Sequence, residues 1–257
     1  MAEYSSLAAV ERTFVIIKTL VGKVNGLSVS KLVEETGISK SIVSRILKTL
    51  KDNHYVEQDP DTRFYRLSYD FIGLSLKHFN ALGIDGLFLP ALRTISAEVK
   101  ELVQLSVVSQ EKVYFVQKIE GDNQLKVADM LGKEAPLHCS AAGKMWLSTL
   151  PQEEIIRLVS QHGMSRYTEN TITDLNELLK ELEKIKQLDY ALSLEEFNHG
   201  ITGVAVPVYS NAKERQLMAS IVITAPTVRM SEQKIKQIVQ TCNASIGPLK
   251  DQLPTIE

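Results

Sequence analysis

Leu32-Val33-Glu34-Glu35-Thr36-Gly37-Ile38-Ser39 runs from one apolar-periodic segment into a glycine and out into a second. Upstream, Ser28 is placed to cap a short helix carrying Val29, Leu32 and Val33, which Gly37 stops. Downstream, Ser39 or Lys40 opens another helix with Ile42, Val43, Ile46, Leu47 and Leu50 apolar. Two short helices joined through a glycine-containing turn form the helix-turn-helix pattern, whose second helix is offered to the major groove of DNA. If Ile42, Ile46 and Leu50 pack inward, Ser41, Ser44, Arg45 and Lys48 project outward, with Ser39 and Lys40 at the helix start. Serine is short enough to approach base edges or phosphates. Arginine can grip guanine through two hydrogen bonds worth ~1–3 kcal/mol of discrimination.

The flanks agree with that reading. Leu7, Val10, Phe14, Ile17 and Leu20–Val21 give Ser5 to Val21 the spacing of an amphipathic helix. Beyond Asn53–His54, two β-rich runs in Tyr55 to Leu67 flank a Pro60/Asp61 turn. A hairpin there is a wing, and Arg63, Tyr65 and Arg66 can lay charge and hydrogen bonds along a sugar-phosphate backbone. The plainer alternative is a turn that only caps the three helices. The net charge of −2 hides a split: residues 1–80 carry 11 Lys and Arg against 9 Asp and Glu, and the remainder 18 against 22. Within Ser39 to Asp52, Lys40, Arg45, Lys48 and Lys51 face only Asp52. Charge alone fits a solvated helix face; the helix spacing favours a phosphate-contacting surface.

A chain of 257 residues suggests two domains. The expected boundaries are a winged helix-turn-helix over 1–68, a linker helix over 69–84 around Phe71, Ile72, Leu74 and Leu76, and a second domain over 85–257. In the latter, a helix from Ile84 to Leu102 precedes strands at Val103 to Ser109 and Lys112 to Ile119, with a third at Leu125 to Met130. Helices follow at Ser140 to Leu150, Glu153 to Gln161 and Leu175 to Gln187. Strands at Gly203 to Tyr209 and Leu217 to Thr224 and a helix from Ser231 complete the chain. This order predicts an α+β domain on a mainly antiparallel sheet. No apolar run approaches the ~20 residues of a membrane span, and the charges at Glu3, Glu11, Arg12 and Lys18 lead one to expect no secretory signal. Two cysteines cannot make a disulfide framework, so a reducing cytoplasm is the expected home. The five histidines lack metal-ligand spacing, and Gly143–Lys144 lacks the upstream loop of a phosphate-binding motif, so neither metal nor cofactor is expected. Adjacent His138–Cys139 is a weak nucleophile pair, and Glu195–Glu196 on a strand would point to opposite faces. No catalytic residue is assigned. An enzyme using Cys139 with His138, and an architectural protein, stand as the rival classes.

The winged helix-turn-helix, followed by Pro136-Leu137-His138-Cys139-Ser140-Ala141-Ala142-Gly143-Lys144, then Glu195-Glu196-x₃-Gly200-Ile201-x₂-Val204-Ala205-Val206-Pro207-Val208 and Ile223-Thr224-Ala225-Pro226-Thr227-Val228-Arg229, resembles the IclR family of bacterial transcriptional regulators from about Leu7 to Leu249. The resemblance implies a GAF-like C-terminal domain that binds a small organic acid. Its pocket would be lined by Ala141–Ala142, where main-chain N–H groups at a helix start suit a carboxylate. Val127, Ala135, Ser193, Gly203, Val222 and Thr224 fall on its walls by the same resemblance. Ser193, Gly203 and Val222 depart from the common pattern and leave the pocket smaller-walled and less polar. A bulkier ligand or weakened effector binding would follow. Asn170-Thr171-Ile172-Thr173 and the Cys139–Lys144 variant look like members governing sugar-acid catabolism. The partners so implied are double-stranded DNA with a pseudo-palindromic operator, an organic-acid effector, and a second copy in a homodimer or homotetramer; repressor is favoured over activator. Apolar residues of the first helix and of Tyr69 to Asn80 are the expected dimer contact.

Overall fold

The structure, a computed structural model, describes residues 7–124, 127–128, 130–210 and 216–252. The chain divides into two units, Met1–Gly83 and Ile84–Glu257, each with its own core. The first contains α1 (Ala8–Leu20), α2 (Val29–Thr36), α3 (Lys40–Asp52), β1 (Val56–Gln58), β2 (Tyr65–Leu67) and α4 (Tyr69–Ala81). The Ser28 hydroxyl accepts the Lys31 N–H at the start of α2, and Gly37 ends that helix at φ +67°, a conformation that glycine adopts without steric cost. Val43, Ile46, Leu47 and Leu50 of α3 pack with Ile16, Leu20, Leu32 and Val56. Ile42, expected inward, is half-buried because Val43 and Leu47 hold the centre of the buried face. β1 and β2 pair antiparallel with Glu57 opposite Arg66. Their turn is closed by the Asp59 carboxylate, which accepts from the Thr62 and Asp61 N–H groups and the Thr62 hydroxyl; these bonds hold its pKa below the ordinary value, Thr62 contributing most.

The second unit contains α5 (Ile84–Val99), β3 (Leu102–Ser109), β4 (Lys112–Ile119), β5 (Glu134–Ala135), α6 (Ala141–Leu147), α7 (Gln152–His162), α8 (Leu175–Leu188), β6 (Ala191–Leu194), β7 (Ile201–Tyr209), β8 (Leu217–Pro226) and α9 (Glu232–Ile246). The six strands form one sheet in the order β5-β4-β3-β8-β7-β6, every pair antiparallel. One face buries Val103, Leu105, Val204, Val206, Ile221 and Ile223 against α5 and α9. The other meets α6, α7 and α8 with smaller or more polar residues: Ala205, Val222 and Ala191 in the core, with Gln104, Ser106 and Ser220 also buried. Period-2 alternation thus separates a branched aliphatic face from one with little side-chain bulk.

Three expectations need correction. Of the strand expected over Leu125 to Met130, residues 125, 126 and 129 lie outside the described residues, Val127, Ala128 and Met130 are not in a strand, and the third strand is β5 at Glu134–Ala135. β6 was not foreseen, because four residues offer too little alternation to stand out beside α8. Glu195–Glu196 therefore follows a strand instead of lying in it: Glu195 sits at φ +56° and breaks the extended chain. Helix α5 stops at Val99 rather than Leu102, where Lys100 turns to φ +60°. No helix among the described residues is long and apolar enough to cross a membrane.

Helix α6 approaches the preceding segment so closely that a Cβ on Gly143 would lie 2.5 Å from the Pro136 carbonyl oxygen and 2.6 Å from Leu137 Cα. These are backbone atoms that cannot step aside. Gly143→Ala should therefore cost about 1–3 kcal/mol or more of stability. Trp146, the one tryptophan and part of this helix, reports the loss by fluorescence in denaturant.

Candidate functional site

On the head, Ser39, Lys40, Ser41, Ser44, Arg45 and Lys48 are all exposed, along one side of α3 and at its start. Among the described residues no carboxylate pairs with Lys40, Arg45 or Lys48, so their charges are available to a phosphate. Arg63 is exposed at the wing turn, at φ +61°. The two neighbouring wing residues differ. Tyr65 packs its ring against the head core and exchanges both backbone hydrogen bonds with Leu27. Arg66 is taken by Glu57 at 2.6 Å. The surface so formed can grip a duplex through cations on one helix and one turn.

In the second unit, Val127, Ala135, Ala141, Ala142, Ser193, Gly203, Val222 and Thr224 all line one cavity, as do Gln104, Phe115 and Phe197. Strand register builds its floor: Gln104 stands opposite Val222, and Thr224 opposite Gly203, which in turn stands opposite Ser193. The start of α6 forms the roof. There the Ser140 hydroxyl accepts from Gly143 N–H, and Ala141 and Ala142 are the first two helical residues. Ser193 donates to the Cys139 carbonyl at 2.6 Å, fixing roof to floor. A Cβ on Gly203 would meet Ala141 Cβ at 3.5 Å, ordinary contact, so the glycine leaves space that a larger side chain would fill. The cavity measures about 60 Å³, several times the ~10–15 Å³ that one water needs on the same measure. No lysine, arginine or histidine is among its described lining residues.

A buried ion pair sets the roof. Lys144 is 0 % exposed, donates to Glu196 at 2.5 Å and lies 3.6 Å from Glu181 of α8. Burial pushes the Glu196 carboxyl up, against the opposing pull of Lys144. The main chain of the same segment is clamped from residues 168–171: Thr168 donates to the Glu195 carbonyl and Thr171 to the Glu196 carbonyl, both at 2.6 Å. Thr171 of the Asn170–Thr173 motif, together with Thr168 before it, thus holds the segment that carries Phe197 into the cavity. Glu195 faces elsewhere and accepts from Gly200 N–H at 2.8 Å. The nucleophile reading of Cys139 finds no geometry: burial pushes the thiol up to about 12, and the His138 ring is 2.9 Å from the Ser165 carbonyl.

Gln104, Phe115 and Phe197 are lining residues outside the set expected from the sequence, and Gln104 is the buried polar one. It interrupts an apolar run at the second position of Val103-Gln104-Leu105-Ser106-Val107, in a strand covered on both faces. Glutamine is mostly exposed in folded proteins, so one set inside a run of buried positions is the signal.

Residues 9–60 match the family model described as IclR helix-turn-helix domain, and residues 77–246 match Bacterial transcriptional regulator IclR C-terminal. The HTH-type transcriptional regulator KdgR of Dickeya chrysanthemi is 28% identical over 248 residues, covering 96% of this chain and 80% of that protein. The HTH-type transcriptional repressor AllR of Escherichia coli (strain K12) is 26% identical, covering 88% and 83%. The crystal structure of an IclR homolog complexed with 4-hydroxybenzoate, from Microbacterium hydrocarbonoxydans, shares the fold with a TM-score of 0.81 at 20% identity, covering 95% of this chain and 100% of that one.

Removing one partner of a buried pair strands the other charge, at about 3–5 kcal/mol. Lys144→Met should therefore lower stability by about that much. The double variant Lys144→Met, Glu196→Leu should recover most of the loss. Denaturant titration of Trp146 fluorescence checks both; equal losses for the single and double variants would assign the defect to packing.

Proposed function

The chain belongs to the IclR family of bacterial transcriptional regulators, and from that premise we propose that it is a homodimeric or homotetrameric repressor of a catabolic operon, acting in the cytoplasm and controlled by a small organic acid of the sugar-acid kind. The observation that carries the reading is the pairing of an unpartnered basic face on α3 with a cavity in the second unit. The first suits a DNA duplex and the second a small ligand. Relatives named as a KdgR regulator and an AllR repressor, and a homolog holding 4-hydroxybenzoate, support repression and an acid effector.

Residue roles follow from placement. Arg45, with Ser41 and Ser44, reads base edges from the middle of the exposed face of α3. Ser39, Lys40 and Lys48 flank it on phosphates, and Arg63 adds a wing contact, with Tyr65 setting the wing against the head. In the second unit the acid occupies the space bounded by Val127, Ala135, Ala141, Ala142, Ser193, Gly203, Val222 and Thr224. A second copy is favoured by apolar side chains on the head that have no cover: Leu7, Phe14, Tyr69, Leu74 and Leu76 are exposed, and α4 has no buried residue. Two symmetry-related heads would read a pseudo-palindromic operator.

The test is a salt-dependent binding titration with DNA from upstream of the protein's own gene, against random duplex of equal length. Arg45→Ala should lose about 1–3 kcal/mol on the specific DNA and little on random DNA. Arg63→Ala should weaken binding to both and reduce the salt slope by about one. Equal losses on both duplexes for Arg45→Ala would contradict its base-reading role, and an absence of preference for the upstream DNA in the wild type would contradict the repressor reading.

A further inference from the structure

Gln104 carries a cost that its own chain does not relieve. The side chain is 1 % exposed, lines the cavity from β3, and its Nε2 has no hydrogen-bond partner. A buried donor left unpaired is unfavourable by the desolvation of that group, and such groups are uncommon enough in folded proteins to call for a reason. The buried serines nearby are already committed. Ser106 and Ser193, on the same side of the sheet, donate to the Ser220 and Cys139 carbonyls, and Ser140 accepts from Gly143 and donates to Pro136. These three hydroxyls are engaged with the fold, whereas the Gln104 amide borders the cavity, as do Thr224 and Asn198.

We infer that Gln104 is the residue that selects the ligand, donating through Nε2 to a carboxylate or oxo oxygen of a small organic acid seated in this cavity. The inference rests on the reading of the cavity as the effector site. Register adds the rest of the recognition. Val222, directly opposite Gln104, and Phe115 give the ligand's carbon skeleton an apolar bed. Gly203, one row further along the sheet, brings no side chain to this wall, where a Cβ would already touch Ala141 Cβ at 3.5 Å. With no cation among the described lining residues, a neutral amide does the reading, and the ligand's oxygen needs an orientation as well as a charge.

The experiment is calorimetric titration of the full chain with gluconate, glycerate and 4-hydroxybenzoate as probes, repeated with Gln104→Leu and Gln104→Glu, and accompanied by thermal unfolding without ligand. For the probe that binds the wild type, Gln104→Leu should raise the Kd by about tenfold to a hundredfold, the loss of a hydrogen bond to a charged or strongly polar oxygen. Gln104→Glu, of the same size but presenting an acceptor, should abolish binding at neutral pH. The unliganded Gln104→Leu protein should melt at the wild-type temperature or above it, because the unpaired donor is gone. Wild-type binding that Gln104→Leu leaves within about twofold overturns this inference and spares the effector reading. A lower melting temperature for Gln104→Leu assigns the amide to the fold and overturns it as well. Wild-type protein that binds none of the probes overturns the inference together with the acid-effector reading beneath it.

Discussion

Lys144 is the constraint on which the second unit is arranged. An ammonium group with no exposure has to meet carboxylate, and it does so by drawing Glu196 to 2.5 Å and Glu181 to within 3.6 Å. Three elements distant in sequence are thereby fixed around one charge: α6, the segment after β6, and α8. Such a pair adds little net stability over an apolar replacement, since both charges lose their water. What it supplies here is placement. The first turn of α6 forms one wall of the cavity and Phe197, next to Glu196, forms another, so the ion pair sets the distance between two walls.

The sheet supplies the floor by a different means. Alternation sends Val103, Val204, Val206, Ile221 and Ile223 to the face covered by α5 and α9, which leaves Gln104, Gly203, Val222 and Thr224 on the face toward α6. A bulky residue at these positions would close the cavity. Glycine and serine opposite each other at Gly203 and Ser193 keep it open, while the close packing of Gly143 on the 136–137 backbone holds the roof down. The cavity is a consequence of small residues in register beneath a helix pinned by a buried charge.

Much of this was legible in the chain. The helix-turn-helix announced itself through Ser28, Gly37 and a clear apolar stripe, since local capping and helical period are short-range signals. The hairpins around Pro60 and Gln110–Glu111 were equally local. The cavity residues came through resemblance to a family and not through spacing: nothing in the period of Ser193, Gly203 and Val222 shows that three separate strands lie side by side. Strand β6 escaped because it is only four residues long. Gln104 escaped because its meaning depends on both faces of β3 being covered, which is a property of the sheet. In the sequence Lys144 stands only in an incomplete phosphate-loop pattern and Glu196 only in an adjacent carboxylate pair; their partnership across 52 residues is visible only once folded.

A repressor of the proposed kind works only if the acid distinguishes the DNA-competent arrangement from the others, for a ligand with equal affinity for both shifts nothing. Linkage makes that requirement reciprocal: whatever factor the acid takes from operator affinity, the operator must take from acid affinity. The direct measurement is therefore the Kd of the acid for the free protein and for the same protein saturated with operator DNA. The account predicts weaker acid binding to the complex, by the same factor by which saturating acid weakens operator binding. An acid that binds both forms with one Kd would contradict control of the head through the cavity.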